Sequence, residues 1–128
     1  MLADHQQGRA VSFETTYPLT IGEIYPVVGM TIAEREFYFL VQDDSEGPCF
    51  AHAGFFELFV ANIPSGWRFA LEPGVNASGR ELWSQPGVAT WGYPNLVDDP
   101  NYINALFELD AAALTIFRSH VAAAALAS

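Results

Sequence analysis

The sequence predicts a mainly β protein of the α+β class: a small barrel or strongly curled sheet of about five strands, followed by two C-terminal helices. Short runs of aromatic and β-branched residues recur over residues 13–92, and turn residues separate them at intervals of about 8–12 positions. The pattern changes to helical spacing over residues 93–128. A chain of 128 residues, 51% of them hydrophobic, has the size of a single domain with one core.

The first predicted strand covers residues 24–30 and follows a turn at residues 20–22. Pro26 lacks an N–H group, so we expect this strand at a sheet edge or a bulge. Residues 1–12 are polar and without a period, and we expect them to be a flexible N-terminal segment. Residues 31–35 are expected to form a polar connection.

The clearest predicted strand is EFYFLVQ, at residues 36–42. Both of its faces carry apolar side chains, which predicts that it is covered on both sides. Residues 43–48, rich in Asp, Gly and Pro, predict a hairpin loop. Residues 49–53 then form the return strand.

Two further strands are predicted from apolar runs at residues 55–60 and 67–71, with a turn at residues 62–66 between them. Residues 72–79 contain Pro and two Gly residues and predict a loop. A short strand near residues 89–91 is expected to end the β-rich part.

The helical part has two start signals. Asp99 followed by Pro100 predicts a capping carboxylate and a proline at the first helical position. Asp110 predicts a second cap, which opens an alanine-rich helix over residues 111–125. Arg118 and His120 lie toward the end of that helix, where cations suit the helix dipole.

The charge is strongly acidic. Fifteen acidic residues face five basic ones, all arginine, for a net charge of −10, and half of that net charge lies in residues 34–57. Such a field repels phosphate backbones and argues against a nucleic-acid partner. It suits a basic protein partner or a divalent cation, or it serves solubility alone.

The sequence predicts no catalytic or metal centre and no cofactor. Asp43, Asp44 and Glu46 are close together but do not follow the ligand spacing of an EF-hand loop. Cys49 and His52 are three residues apart in a predicted strand, so they should point to opposite faces, with Cys49 buried. The histidines lack zinc-ligand spacing, and the chain contains no hydrolase or nucleotide-binding motif.

A cytoplasmic location is expected. The single cysteine excludes an internal disulfide, which fits a reducing compartment. The first ten residues lack the basic start and apolar stretch of a secretory signal. No apolar run approaches the roughly 20 residues of a membrane span.

Some of the aromatic residues are candidates for a protein interface, since Trp and Tyr commonly anchor such interfaces. Trp67 follows Pro-Ser-Gly, and Trp83 lies in a region rich in Gly and Pro, so both are expected at the surface. Phe37, Phe39, Phe56 and Phe117 are expected in the core.

Several stretches resemble a group of small bacterial proteins described as uncharacterised or as immunity proteins, which neutralise a toxin by binding it. The stretches are LTIGEIYPVVGM at residues 19–30, YFLVQDD at 38–44, FFELF at 55–59, IPSGW at 63–67 and the helical LDAAALTIF at 109–117. The resemblance implies an SH3-like barrel with C-terminal helices and no catalysis. Pro26, Cys49 followed by Phe50, and the absence of lysine depart from the group.

The sequence therefore predicts a non-enzymatic protein-binding module, of immunity type, that presents an acidic and aromatic face to a basic partner. Asp43, Asp44 and Glu46 are the residues expected to steer the partner, and Trp67 is expected to anchor it. One alternative is a small-ligand protein or small enzyme with a pocket around His52. Another is a structural homodimer formed through the aromatic face.

Overall fold

A computed structural model describes residues 6–10, 18–20, 22–60, 63–75 and 81–126. These residues form eight strands, a short 3-10 turn and three helices. The strands are β1 Gln6–Ala10, β2 Ile24–Val27, β3 Gly29–Ala33, β4 Glu36–Gln42, β5 Pro48–His52, β6 Phe56–Val60, β7 Arg68–Val75 and β8 Glu81–Gly92. The 3-10 turn is Ala53–Phe55, and the helices are α1 Pro94–Asp98, α2 Tyr102–Phe107 and α3 Ala111–Leu126.

The strands belong to two antiparallel sheets. The larger sheet is curled and has five strands in the order β5-β4-β3-β8-β7, and the smaller sheet has three in the order β2-β1-β6. Together with the three C-terminal helices, they confirm the predicted α+β class. None of the helices in the described part of the chain is long and apolar enough to cross a membrane.

The larger sheet is covered on both faces around its interior strand β4, as the sequence of that strand predicts. Leu40 is fully buried in a cluster with the helices, to which α1–α3 contribute Leu96, Leu106 and Phe117. Val41, the next residue, is fully buried in a second cluster, which includes residues of both sheets: Tyr25, Val27, Met30, Phe39, Cys49 and Ala51. Adjacent residues of a strand point to opposite faces, so β4 contributes to both cores.

The predicted strand at 24–30 is two strands in different sheets. β2 ends at Val27 and β3 begins at Gly29, with Val28 donating its N–H to the Leu40 carbonyl at 3.0 Å between them. Pro26 lies in β2, an edge strand of the smaller sheet, as expected for a residue without an N–H. The connection expected at residues 31–35 is only residues 34 and 35 in the structure, because β3 pairs with β4 up to Ala33.

Three other β elements differ from expectation. Residues 72–75 belong to β7 rather than to a loop, and β8 is a strand of 12 residues rather than a short one. Pro73 and Pro86 lie opposite one another at an irregularity in this pair, which explains how prolines are tolerated there. Residues 6–10, within the segment expected to be flexible, pair with β2 and β6 through backbone hydrogen bonds, which need no apolar pattern.

The helical part contains three helices instead of two. The expected helix start at Asp99 is wrong: Asp99 ends α1, and its Oδ1 accepts a hydrogen bond from the Asn101 N–H at 2.9 Å in the turn before α2. A proline does occupy the first position of a helix, but it is Pro94, at the start of α1. The expected cap at Asp110 is confirmed, because its Oδ2 accepts from the Ala113 N–H at 3.1 Å.

A pair of glycines allows α1 to lie directly on the larger sheet. Gly29 and Gly92 face one another across β3 and β8, and Leu96 of α1 packs on both. A Cβ atom would lie 2.6 Å from Leu96 Cδ2 at Gly29, and 2.5 Å from it at Gly92. Leu96 is itself fully enclosed, so it has little room to move away.

The substitution Gly92→Ala is therefore expected to destabilise the fold by about 1–3 kcal/mol, because the new methyl group overpacks the contact with Leu96. Gly66→Ala is the control, since a Cβ atom there would have nothing within 4 Å. Its free energy of unfolding should stay within about 0.5 kcal/mol of the native value. Urea unfolding measures both, and equal stabilities of the two variants would contradict this account of α1 packing.

Candidate functional site

In the acidic hairpin loop between β4 and β5, carboxylates accept hydrogen bonds from the protein itself. Asp43 Oδ1 accepts hydrogen bonds from the backbone N–H groups of Ser45 at 2.9 Å and Gly47 at 3.0 Å. The Asp43 backbone N–H donates to the Gly47 carbonyl at 2.8 Å, which closes the loop. This is the Asx-type turn that the Asp-rich sequence favours. The Asp43 carboxylate therefore shapes the loop.

Asp44 ties the same loop to the segment before β2. Its Oδ1 accepts a hydrogen bond from the Tyr25 hydroxyl at 2.7 Å, and its Oδ2 accepts from the Thr20 hydroxyl at 2.5 Å. The Asp44 N–H also donates to the Pro18 carbonyl at 2.9 Å. Burial, together with the adjacent Asp44 carboxylate, raises the pKa of Tyr25. The second acid of the predicted steering group thus joins two parts of the chain.

Glu46, like Asp44, is an exposed acid of the loop. It has a positive φ of 65°. Its backbone carbonyl accepts hydrogen bonds from Gln42 Nε2 and from the Arg118 guanidinium of α3, both at 3.1 Å. The three acids expected to steer a partner are therefore together in one loop, and Glu46 is the one whose carboxylate forms no hydrogen bond or ion pair with the described residues.

Trp67, the predicted anchor, is half-buried rather than fully exposed. It precedes β7 and packs against the core cluster between the two sheets. Among the described residues, no hydrogen bond or ring contact joins Trp67 to the acidic loop. Trp83 lies in β8, and its side chain is outside the described residues.

Trp67 also forms one wall of a cavity of about 370 Å³. Its other walls come from the end of β2, the start of α1 and the last turns of α3, with Val27, Tyr93, His120, Ala123 and Ala124 among the lining residues. Most of these side chains are apolar. Gly66, Pro94 and Ala123 are exposed to solvent and mark the mouth of the cavity.

A stacked pair of rings forms the polar part of the cavity wall. The rings of Tyr93 and His120 have centroids 4.1 Å apart and planes inclined by 16°. The Tyr93 hydroxyl lies 2.7 Å from the Tyr102 hydroxyl, which donates its proton to the Ala113 carbonyl at 2.9 Å. Since a hydroxyl has one proton, Tyr93 is the donor to Tyr102.

The environment keeps both rings of the stack neutral. Burial raises the pKa of Tyr93, and its hydrogen bond to Tyr102 raises it further. Burial lowers the pKa of His120, because the charged imidazolium loses its hydration there. A cavity with these walls presents ring faces and one uncharged imidazole.

His52, the histidine around which the sequence placed a ligand pocket, lies elsewhere, on the half-exposed face of β5. Its Nδ1 accepts the Gly54 N–H at 2.9 Å, so its Nε2–H points to Glu36 Oε2, with which it forms a hydrogen-bonded pair. His52 is not among the residues that line the cavity. The described residues do form a pocket, but it lies beside His120 and not beside His52.

Cys49 is buried on the opposite face of β5 from His52, as the strand pattern predicts. Burial, helped by the nearby Asp43 charge, raises the pKa of its thiol to about 11. No group of three or more His, Cys, Asp or Glu side chains in the described part of the chain is placed to hold a metal ion.

The larger sheet also carries an exposed apolar row, formed by Ile32, Phe37, Phe69 and Leu71. Ile32 pairs with Phe37 on β4 and with Ala89 on β8, and Ala89 pairs with Leu71 on β7. These side chains therefore share one face, to which Phe69 belongs because it precedes Leu71 by two positions. Their exposed fractions are 38%, 38%, 54% and 40% in chain order.

One buried ring and one partly buried ring support the exposed rings of the apolar row. Phe37 contacts buried Phe39 with ring centroids 5.2 Å apart, and Phe69 contacts Trp91 at 4.8 Å. The row is the continuation of the face that packs on the smaller sheet. The expectation that Phe37 lies in the core is wrong, since its side chain is exposed. The sequence alone does not indicate the apolar row, because residues 31–35 have the composition of a connection and the pairing of β3 with β8 joins positions far apart in the chain.

Comparisons of the chain with models of protein families, with curated proteins and with solved structures find no match.

Asp44→Asn should destabilise the protein by about 1–2 kcal/mol, because one of the two oxygens that accept from the Tyr25 and Thr20 hydroxyls becomes an NH₂ group, which cannot accept. Glu46→Gln removes the same charge from the same loop and should change the free energy of unfolding by less than about 0.5 kcal/mol. Thermal and urea unfolding of the two variants compare them. Equal losses would mean that charge, and not the contact with Tyr25, determines the effect.

The stability of the protein should fall as the pH drops below the ordinary pKa of histidine, about 6.5. The unfolded chain then binds a proton that folded His120 resists, because its pKa is lowered in the fold. His120→Phe keeps a ring beside Tyr93 but removes this proton. Its unfolding free energy should therefore fall less between about pH 7.5 and pH 5 than that of the native protein. Parallel pH profiles would contradict the lowered pKa.

Proposed function

We propose that this protein is a non-enzymatic binding module that docks a basic protein partner on the apolar row. The observation that carries the proposal is the exposure of four large apolar side chains in register on one sheet face. Exposed apolar patches on soluble proteins commonly mark interaction sites. Aromatic side chains are also the usual anchors of such interfaces, and Phe37 and Phe69 would take that role.

Charge complementarity supports a basic partner. The chain carries a net charge of −10, which would accelerate encounter with a cationic protein. The two-residue turn Glu34-Arg35 connects the strands of Ile32 and Phe37, so one acid and one base lie at the end of the apolar row. Both turn residues have positive φ, 52° and 68°, a conformation that favours Gly or Asn.

The predicted site changes in two respects under this proposal. Asp43 and Asp44 contribute to the overall field while holding their loop, and Glu46 stays available for steering. Trp67 is replaced as the anchor by Phe37 and Phe69, whose rings are more open to solvent. The supporting contacts with Phe39 and Trp91 hold these rings in place before binding, which lowers the entropy lost on association.

The specific form of the proposal is an immunity-type protein of a bacterial cytoplasm that neutralises a toxin by covering its basic surface. The resemblance of residues 19–30, 38–44, 55–59, 63–67 and 109–117 to such proteins supports it. The single, buried Cys49 fits a reducing compartment. We propose no catalytic step, metal or cofactor for this role.

The test uses the double variant Phe37→Ser/Phe69→Ser, with Leu109→Ser as the control. Leu109 is 61% exposed and lies in the turn before α3, so it matches the exposure but not the place of the apolar row. Each protein is immobilised and exposed to a lysate of the native host. The native protein and the control should retain the same basic protein, which the double variant should lose.

The retained protein is then purified for kinetic measurements. Its association rate with the native chain should fall by roughly tenfold or more as salt is raised. Equal capture by the double variant and the control would overturn the proposal. Self-association of the native chain in sedimentation, abolished by the double variant, would assign the row to a homodimer instead.

A further inference from the structure

The cavity beside Trp67 has the size of a small-molecule site and shares no residue with the apolar row. Its volume of about 370 Å³ lies in the range of natural ligand pockets. A cavity of about 150 Å³ holds benzene, so this one would accept a ligand of up to about fifteen non-hydrogen atoms. The exposed positions of Gly66, Pro94 and Ala123 at its mouth leave a route of entry.

We propose that this cavity binds a small, uncharged, flat aromatic compound that makes one hydrogen bond to His120. The shape and chemistry of the walls support an aromatic ligand. Trp67 provides an indole ring on one side, and the stacked pair of Tyr93 and His120 provides a second ring surface. Aromatic pairs gain energy beyond the area that they bury.

The ligand is uncharged because the described walls offer no ionised side chain to pair with a charge. The lining residues that the structure describes include no carboxylate and no guanidinium group. A charged group that entered would lose its hydration without a counter-charge, which is costly. The net charge of −10 disfavours an anion further.

His120 supplies the single specific contact. The Tyr93 hydroxyl already donates to Tyr102 and is directed toward the core, so it is not free for a ligand. Neutral imidazole has one N–H donor and one nitrogen acceptor. The stack with Tyr93 restricts the ring, so a ligand N–H or O–H group would meet a pre-oriented partner.

The test uses indole as the probe, because it is flat, uncharged, of suitable size and carries one N–H group. Titration followed by calorimetry and by amide NMR shifts should give a dissociation constant below about 1 mM, with the shifts at Trp67, His120 and Ala123. Indole carboxylate and tryptamine, its anionic and cationic relatives, should each bind at least about tenfold more weakly.

Ala123→Trp should fill the mouth of the cavity and weaken indole binding by at least about tenfold. Ala122→Trp is the matched control, because Ala122 is the exposed neighbour on α3 and does not line the cavity. It should bind indole like the native chain. If Ala123→Trp does not fold, the proposal still rests on the His120 comparison below.

The native chain should prefer indole to N-methylindole by about fivefold, since methylation removes the donor. His120→Phe should keep the ring stack but lose this preference. The proposal is overturned if indole does not bind up to about 5 mM, a limit well above the expected constant. It is equally overturned if the NMR shifts lie away from the cavity, if the charged relatives bind as tightly, or if His120→Phe keeps the preference.

Discussion

The burial of β4 on both faces is the constraint on which the rest of the structure depends. Leu40 and Val41 are adjacent, point to opposite faces and are both completely shielded from solvent. Complete burial of such side chains contributes about 1.5–3 kcal/mol each, so neither face can be left open. The C-terminal helices cover Leu40, and the smaller sheet covers Val41. The chain therefore has to supply two different covering layers for one sheet.

The close contact of α1 with the sheet follows from this arrangement. Gly29 and Gly92 remove the side chains that would hold the helix away, and Leu96 occupies the space. Tyr93, immediately before α1, is thereby placed with its hydroxyl on Tyr102 and its ring against His120 of α3. The cavity beside Trp67 lies where this stack, β2 and the turn before β7 surround a space that they do not fill.

Charge acts in this protein at two distances. Close by, Asp43 and Asp44 accept hydrogen bonds that shape the β4–β5 loop and connect it to Tyr25. Farther away, the net charge of −10 belongs to the whole chain and would act on the proposed partner before contact. Contact itself would fall to apolar side chains such as Phe37, because exposed ion pairs contribute little affinity. The acids and the apolar row therefore have separate roles in one proposal.

Local patterns in the sequence determined the α+β class, strand β4 with its two buried faces, the acidic hairpin loop, the buried thiol of Cys49 and the cap at Asp110. Each depends on residues near one another in the chain, through side-chain alternation, turn chemistry or capping. Only the tertiary structure decided that residues 24–33 serve two sheets, that Gln6–Ala10 pairs between β2 and β6, and that His120 rather than His52 lines a cavity. It also decided the apolar row, since the pairing that places Phe37 and Leu71 on one face joins strands distant in sequence. These features depend on long-range register and on packing between layers, which the periodicity of a single segment does not contain.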